Sequence, residues 1–188
     1  EKANNPEGAA RILFDQVGRM SGLFRKLETS GKPWVSAING VCMGGAFEMS
    51  LACHGRVAAD SGSVKMALPE VKVGLFAAAS GVQRLSRYIG RLAAQELMFT
   101  GRTIMADEAL AMGCVNAVYP ADQLMAKAME KAEELCGVSP SAVKATKRVL
   151  NDMYARDGMQ DSIAYSREVI ADLSKTEDFK EGVNAFVE

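Results

Sequence analysis

Apolar residues recur at spacings of one, three and four near the start of the chain: Ile12, Leu13, Val17, Met20, Leu23, Phe24 and Leu27. That spacing predicts a helix over residues 8–27 with one apolar face. Ser30-Gly31-Lys32-Pro33 should end it, because proline disfavours helical backbone in the residue before it. Residues 34–38 then read as a short buried strand, and Asn39-Gly40 as the turn behind it. Small and apolar residues around one acid, Glu48, predict a buried helix over residues 46–53, opened by Gly44-Gly45. Residues 56–59 return as a strand, which completes a βαβ unit with an expected right-handed crossover. Residues 60–63 make a turn, and 64–67 a further strand.

Beyond Arg91 the alternation fades and helical periodicity takes over. Helices are expected over 92–100, closed by Gly101, and over 106–112, closed by Gly113 where left-handed backbone is wanted. Residues 115–119 form a brief extended piece. A helix over 123–136 places Leu124, Ala128 and Leu135 on one side, with Met125, Met129, Ala132 and Cys136 beside it. Ser139-Pro140 is a strong helix start, serine as N-cap and proline in the first turn; that helix should run to about Tyr154. Two more follow, over 161–173 and, capped by Thr176, from Glu177 onward. The outline is an α/β core over residues 1–120 followed by a helical region over 121–188, with no internal repeat.

Charge and composition narrow the chemistry. Of 188 residues, 22 are Lys or Arg and 23 are Asp or Glu, so the net charge of −1 offers no footprint for a nucleic-acid backbone or an acidic membrane. No run of 18 apolar residues is present to span a bilayer. The opening EKANNPEGAARILF is not expected to be a secretory leader, lacking a basic stretch followed by an apolar one. Cys42, Cys53, Cys114 and Cys136 have no close pair and read as buried reduced thiols rather than zinc ligands or disulfides. A single histidine, His54, excludes chemistry built on several imidazoles, and its neighbourhood suggests no serine–histidine–aspartate order. Carboxylates and backbone groups remain, with no metal site expected.

The segment from Asn39 to Glu48, NGVCMGGAFE, is the most informative stretch. Two glycines at a helix start leave backbone N–H groups uncovered at the positive end of the helix dipole, a place able to hold a developing oxyanion. They are equally compatible with a helix that merely approaches a strand closely. Glu48 lies one turn into that helix among apolar neighbours, where a glutamate is rarely buried unless paired or functional; it faces either a site, a wet rim or an arginine such as Arg56. Glu70, in LPEVKVG, is the second acid, although a Pro-Glu pair also simply starts helices. Together the two acids suit general base and general acid if their environments push their pKa values apart. The run Ala77-Ala78-Ala79-Ser80-Gly81 allows a close approach or an ordinary helix start. The 11 methionines read as core filler, and Lys147-Arg148 as a solvated face.

The chain resembles the enoyl-CoA hydratase/isomerase family, the crotonase superfamily. The matching text is KPWVSAING from Lys32, MGGAFE ending at Glu48, LPEVKVG from Leu68 to Gly74 and QRL from Gln83. TGR from Thr100, EALAMG from Glu108 to Gly113 and the closing KEGVNAF from Lys180 also match. The resemblance covers nearly the whole chain. It implies a spiral ββα core, here partial, with a helical C-terminal region used in trimer or dimer-of-trimers assembly. It implies an acyl-CoA thioester substrate and no separate cofactor, since CoA is part of the substrate. A cytoplasmic (bacterial) or mitochondrial matrix location follows from the same resemblance. Carried over residue by residue, Glu48 would hold and help deprotonate the water that adds to the β-carbon, and Glu70 would supply the α-proton. The Gly45 N–H would bind the thioester oxygen, with Met43, Gly44, Gly74 and Phe76 lining the substrate.

Two acids favour hydration of a trans-2-enoyl-CoA over isomerisation of a 3-enoyl-CoA. A non-catalytic CoA-ester-binding or assembly subunit is the alternative from another class. Two departures from the family pattern stand out. Its hydratases usually carry a proline-glycine-alanine-glycine-glycine loop where this chain has Ala77–Gly81, and alanine resists backbone angles that glycine adopts. The family also carries, upstream of what is residue 1 here, the first turns of the spiral with the other oxyanion donor. The chain is therefore expected to be a part of the whole protein and a poor catalyst alone.

Overall fold

The computed structural model describes residues 6–152 and Glu177. The element order is α1 (Pro6–Thr29), β1 (Val35–Ile38), β2 (Val41–Met43), α2 (Gly45–Leu51), β3 (Gly55–Asp60) and β4 (Lys65–Ala67). A 3-10 turn (Glu70–Val73) follows, then α3 (Gly81–Ile89), α4 (Arg91–Thr100), α5 (Ala106–Ala111), β5 (Ala117–Pro120), α6 (Leu124–Cys136) and α7 (Pro140–Asp152). The expected helices over 161–173 and beyond Thr176, the end of the Ser139-Pro140 helix at Tyr154 and the closing KEGVNAF motif lie outside the described residues, apart from Glu177.

Two small parallel sheets carry the core: β1-β3-β5 in one and β2-β4 in the other. Val35 pairs with Gly55 and Val57 with Ala117 in the first, while Met43 pairs with Ala67 in the second. Each turn of chain therefore leaves one strand in each sheet before a helix carries it back. This is a spiral of ββα turns, with β1-β2-α2 as one turn and β3-β4 followed by helices as the next. Sequence periodicity suggested one strand before α2, because a three-residue strand ending at Met43 is too short to display alternation. The extra strand, β2, follows the expected Asn39-Gly40 turn directly and occupies residues to which no element was assigned.

β3 is covered on both faces: Gly55 to Ala59 are all buried, the side chain of Arg56 among them. Phe47 and Leu51 from α2, Met66 and Leu68 around β4, Leu85 from α3, Ile104, and Leu124 from α6 fill the space beside it. The boundary drawn at residue 120 falls at the end of β5, and α6 beyond it packs on β1 and β3. On α6, Leu124 and Ala128 are buried as expected, while Met125 and Met129 are exposed, as are Met20 and Met49, so methionine is core filler only in part, as at Met66 and Met98.

Two further expectations are corrected. Lys147 is not on a solvated face: it is buried and donates to the carbonyl oxygens of Ser30 and Lys32, closing α7 onto the loop after α1. Cys136 is exposed rather than buried, at the end of α6, whereas Cys42, Cys53 and Cys114 are buried free thiols. Among the described side chains of the α1 apolar stripe, Phe24 is buried, Val17 and Leu27 are half-buried, and Met20 and Leu23 are exposed. Ser139 caps α7 through a bond from the Ala142 N–H at 3.2 Å. Among the described residues no helix is long and apolar enough to cross a membrane.

Candidate functional site

β2 and β4 run parallel in register, so the segments that leave their ends emerge side by side. The ladder continues one step past the strands, where the Gly44 N–H donates to the Ala67 carbonyl at 3.0 Å. From one end the chain turns into α2, which carries Glu48; from the other, Leu68 and Pro69 lead into the 3-10 turn that starts at Glu70. Parallel pairing of adjacent turns is thus what brings the two acids together. Gly44 makes the sharp entry to α2 with φ 57° and ψ −130°, a backbone conformation that disfavours a side chain. A Cβ there would also lie 3.2 Å from Glu70 Oε1, so the bare backbone is what lets the Glu70 carboxylate sit against the helix start.

Glu48 is 3% exposed, and its Oε1 accepts a hydrogen bond from the Gly81 N–H at 2.8 Å. Burial pushes its carboxyl above the ordinary glutamate value of 4.5. The Gly81 N–H opposes that rise; the negative charge of Glu70 adds to it, while the Ala79 N–H and the Arg84 guanidinium hold it down. Glu70 is only partly buried, yet its Oε2 is a buried acceptor with no hydrogen-bond partner among the described residues. Such an atom is costly to leave empty-handed, and here it points to a role in holding a proton, a water or a substrate. Arg56, considered as a partner for Glu48, is engaged elsewhere. Its guanidinium donates to the carbonyls of Cys114 and Cys53 and lies 4.1 Å from the centroid of the Tyr88 ring.

Gly45 begins α2, where first-turn N–H groups have no acceptor within the helix. Met43 ends β2 half-buried beside it. Gly74 closes the 3-10 turn with left-handed backbone, φ 74°, and turns the chain toward Phe76. Phe76 is 66% exposed and lines an apolar cavity of about 90 Å³ together with Glu70, Leu68, Val82, Met98 and Phe99. The structure therefore gathers Met43, Gly44, Gly45, Glu48 and Glu70 at one place and puts Phe76 on the cavity next to it, while Gly74 lies two residues before Phe76 and does not line that cavity. Residue-by-residue reading missed two residues of α3: Gly81, whose N–H bonds Glu48, and Arg84, whose charge bears on it without contact. Their signal was the small-residue run, the QRL text and the spacing of Val82, Leu85 and Ile89, which marks one apolar face of the nine-residue helix that carries them.

The loop Ala77–Gly81 departs from the glycine-rich family pattern and keeps a demanding shape nonetheless. Ser80 has φ 82° and is the only non-glycine residue with positive φ among those described. Left-handed backbone costs an L-residue roughly 1–2 kcal/mol. Ala77 and Ala79 are buried, so the loop is held by packing rather than by glycine freedom.

His54 is structural, as expected. Its Nδ1 accepts the Trp34 N–H at 3.0 Å and its Nε2 meets the Glu28 carbonyl at 3.2 Å, which requires a neutral ring protonated at Nε2. Burial first, and then the Lys147 charge, hold its pKa below 6.5.

A parallel spiral of ββα turns, with two acids converging behind a Gly-Gly helix start, defines a crotonase-type fold. The enoyl-CoA hydratase/isomerase family model matches residues 15–188, and the chain belongs to that family. The chain is 37% identical over 166 residues to the short-chain-enoyl-CoA hydratase of Clostridium acetobutylicum, covering 88% of this chain and 62% of that protein. It is 32% identical to the 2,3-dehydroadipyl-CoA hydratase of Escherichia coli, covering 88% of this chain and 64% of the relative. The crystal structure of an enoyl-CoA hydratase from Bacillus anthracis superposes with a TM-score of 0.87 at 34% identity, over 99% of this chain and 70% of that one. The chain thus spans less than two thirds of the length of the curated hydratases it matches.

Proposed function

We propose that the protein adds water to a trans-2-enoyl-CoA thioester to give a 3-hydroxyacyl-CoA. The observation that carries this reading is the convergence of Glu48 and Glu70 beside the Gly44-Gly45 backbone, with Glu70 Oε2 buried and without a partner among the described residues. The names of the relatives, short-chain-enoyl-CoA hydratase among them, support it.

Water held by Glu48 loses a proton to that carboxylate as its oxygen bonds to the β-carbon. A carboxylate raised by burial is the better base for this step. The β-carbon double bond shifts its electrons through the α-carbon onto the thioester oxygen, and the Gly45 N–H donates to that oxygen as charge develops. Glu70 then supplies the proton that the α-carbon takes up, and transfer between the two acids resets the pair. The thioester enters past Met43 and Gly44, and the acyl tail turns at Gly74 toward Phe76 into the apolar cavity. CoA is part of the substrate, and the mechanism calls on no cofactor and no metal.

The test is hydration of crotonyl-CoA by the full-length protein, with Glu48→Gln and Glu70→Gln. Each variant should lose about 100-fold or more in kcat, the range a positioned acid or base contributes. Unchanged rates in either variant would sink the reading. Faster consumption of a 3-enoyl-CoA would make the protein an isomerase, and CoA-ester binding without turnover would make it a binding or assembly subunit.

Assembly as a homotrimer or dimer of trimers belongs to the same proposal. Exposed Leu92 and Phe99 on α4 and Val73 in the turn before it, each more than 70% exposed, support a partner surface there. Sedimentation of the full-length protein at the mass of a monomer would refute it. The bacterial relatives favour a cytoplasmic location over a mitochondrial matrix.

A further inference from the structure

Glu48 is oriented by a loop, and the loop is held from behind. Ala79 and Gly81 are the two residues whose backbone N–H groups face the Glu48 carboxylate. The carbonyl of Ala79, on the other side of the same residue, accepts from Arg84 Nη1 at 3.3 Å. Arg84 is 4% exposed, and its remaining nitrogens fork onto one carboxylate: Nε to Glu28 Oε1 at 3.3 Å and Nη2 to Glu28 Oε2 at 3.1 Å. Glu28 is itself fixed at its backbone, where its carbonyl meets His54 Nε2 at 3.2 Å and accepts from Asn151 Nδ2 at 3.3 Å. A connected set of bonds therefore runs from α1 and α7 through a buried guanidinium to the peptide that aims Glu48. Ser80, held at positive φ between Ala79 and Gly81, would relax without such a hold.

We propose that the Glu28–Arg84 pair positions Glu48 for reaction by clamping the Ala79 carbonyl, and so holds the shape of the Ala77–Gly81 loop from behind. The proposal rests on Glu48 acting as the base in the reading above. Arg84 and Glu28 are positioning residues and touch no reacting atom. An interaction this specific has a consequence that general stabilisation lacks. The Glu48 carboxylate faces Glu70 from the 3-10 turn, Arg84 from α3, and the N–H groups of Ala79 and Gly81. Glu28 faces Arg84 and, along α1, Arg25. If the clamp opens, Glu48 loses the N–H groups and the nearby guanidinium that favour its ionised form, while Glu70 stays in place. Its titration must then move to higher pH.

The experiment measures, in the full-length protein and its Arg84→Lys and Glu28→Gln variants, crotonyl-CoA hydration and the carbon-13 NMR titration of the Glu48 carboxyl. Lysine keeps a charge but cannot fork onto Glu28 and grip Ala79 together. The expected result for Arg84→Lys is a loss of about 10-fold to 100-fold in kcat, the scale of a small misplacement. KM should stay within about threefold, because remote substrate contacts are untouched. Glu28→Gln keeps one acceptor for Arg84 and should lose less. In both variants the Glu48 midpoint should rise. A fall in kcat with an unmoved Glu48 midpoint would overturn the proposal, because it marks a merely structural role. Wild-type hydration abolished by Glu48→Gln but untouched in both brace variants would overturn the brace alone. A wild type that hydrates no enoyl-CoA and is indifferent to Glu48→Gln would overturn the functional reading and, with it, the brace. If Arg84→Lys does not fold, Glu28→Gln carries the same comparison.

Discussion

A buried carboxylate is an expensive residue, and Glu48 shows how its cost is managed. Desolvation raises its pKa, and the nearby Glu70 charge raises it further. Two backbone donors and a guanidinium offset only part of this, so the net direction is upward. The sign fixes a prediction. Glu48 should titrate above 4.5, and removing the opposing charge with Glu70→Gln should move its midpoint down. Carbon-13 NMR on labelled glutamate reads both; a midpoint at or below 4.5 in the wild type would contradict the assignment of cause. For hydration, activity should fail on the acid side as Glu48 takes up its proton, at higher pH than an ordinary glutamate would impose. Gly81 matters to this acid as much as any side chain. A Cβ there would stand 2.9 Å from both Cγ and Oε1 of Glu48, so even alanine would push the carboxylate aside.

Among elements, the loop that feeds α3 is the one out of line with its own sequence preferences. Ser80 adopts φ 82° with no side-chain capping bond to compensate. Replacing it with glycine removes roughly 1–2 kcal/mol of backbone strain. It also gives the unfolded chain extra freedom, which costs about 0.4–1 kcal/mol. Ser80→Gly should therefore stabilise the fold by about 0.5 kcal/mol, measured as a shift in the urea midpoint at constant slope. Destabilisation would show that packing of the serine outweighs its strain. Other elements obey local rules that were legible in the chain. The proline stop after α1, the Ser139 cap on α7, and the glycines after α4 and α5, at φ 58° and 81°, all stand where residue chemistry puts them. β2 and α3 were not legible. A three-residue strand is too short to show alternation, and α3, although Val82, Leu85 and Ile89 give it an apolar face, spans only about two turns behind a small-residue run that also allowed a close approach.

For the whole molecule, the described fold is tied together at the junction of α1, β1, β3 and α7. His54, Trp34, Glu28, Asn151 and Lys147 meet there beside a cavity of about 340 Å³. Neutral His54 accepts at Nδ1, and protonation would turn that acceptor into a second donor facing the Trp34 N–H. Its folded pKa lies below 6.5, so the unfolded chain binds the proton more readily. By linkage the stability this histidine contributes is present above about pH 6.5, erodes as pH falls below it and is gone once pH has passed the folded value. Thermal unfolding followed from pH 7.5 to 5 should show that loss, and His54→Gln should flatten it. An unchanged slope in the variant would remove His54 as its source.

What the sequence determined by itself is what short-range physics decides. It marked where helices stop and start, which strands are apolar enough to be buried, and that two acids stand beside glycine-rich turns. The paired motifs around Glu48 and Glu70 carried the family, because several fixed spacings in order are far more specific than one. What only the tertiary structure decided is everything that depends on contacts distant in the chain. Register between β2 and β4 brings Glu48 to Glu70. Packing of α7 buries Lys147, and the Glu28–Arg84 pair, separated by 56 positions, reaches the loop that aims Glu48. A residue's periodicity reports the face it presents, but the partner that meets that face is chosen by how successive turns of the spiral stack.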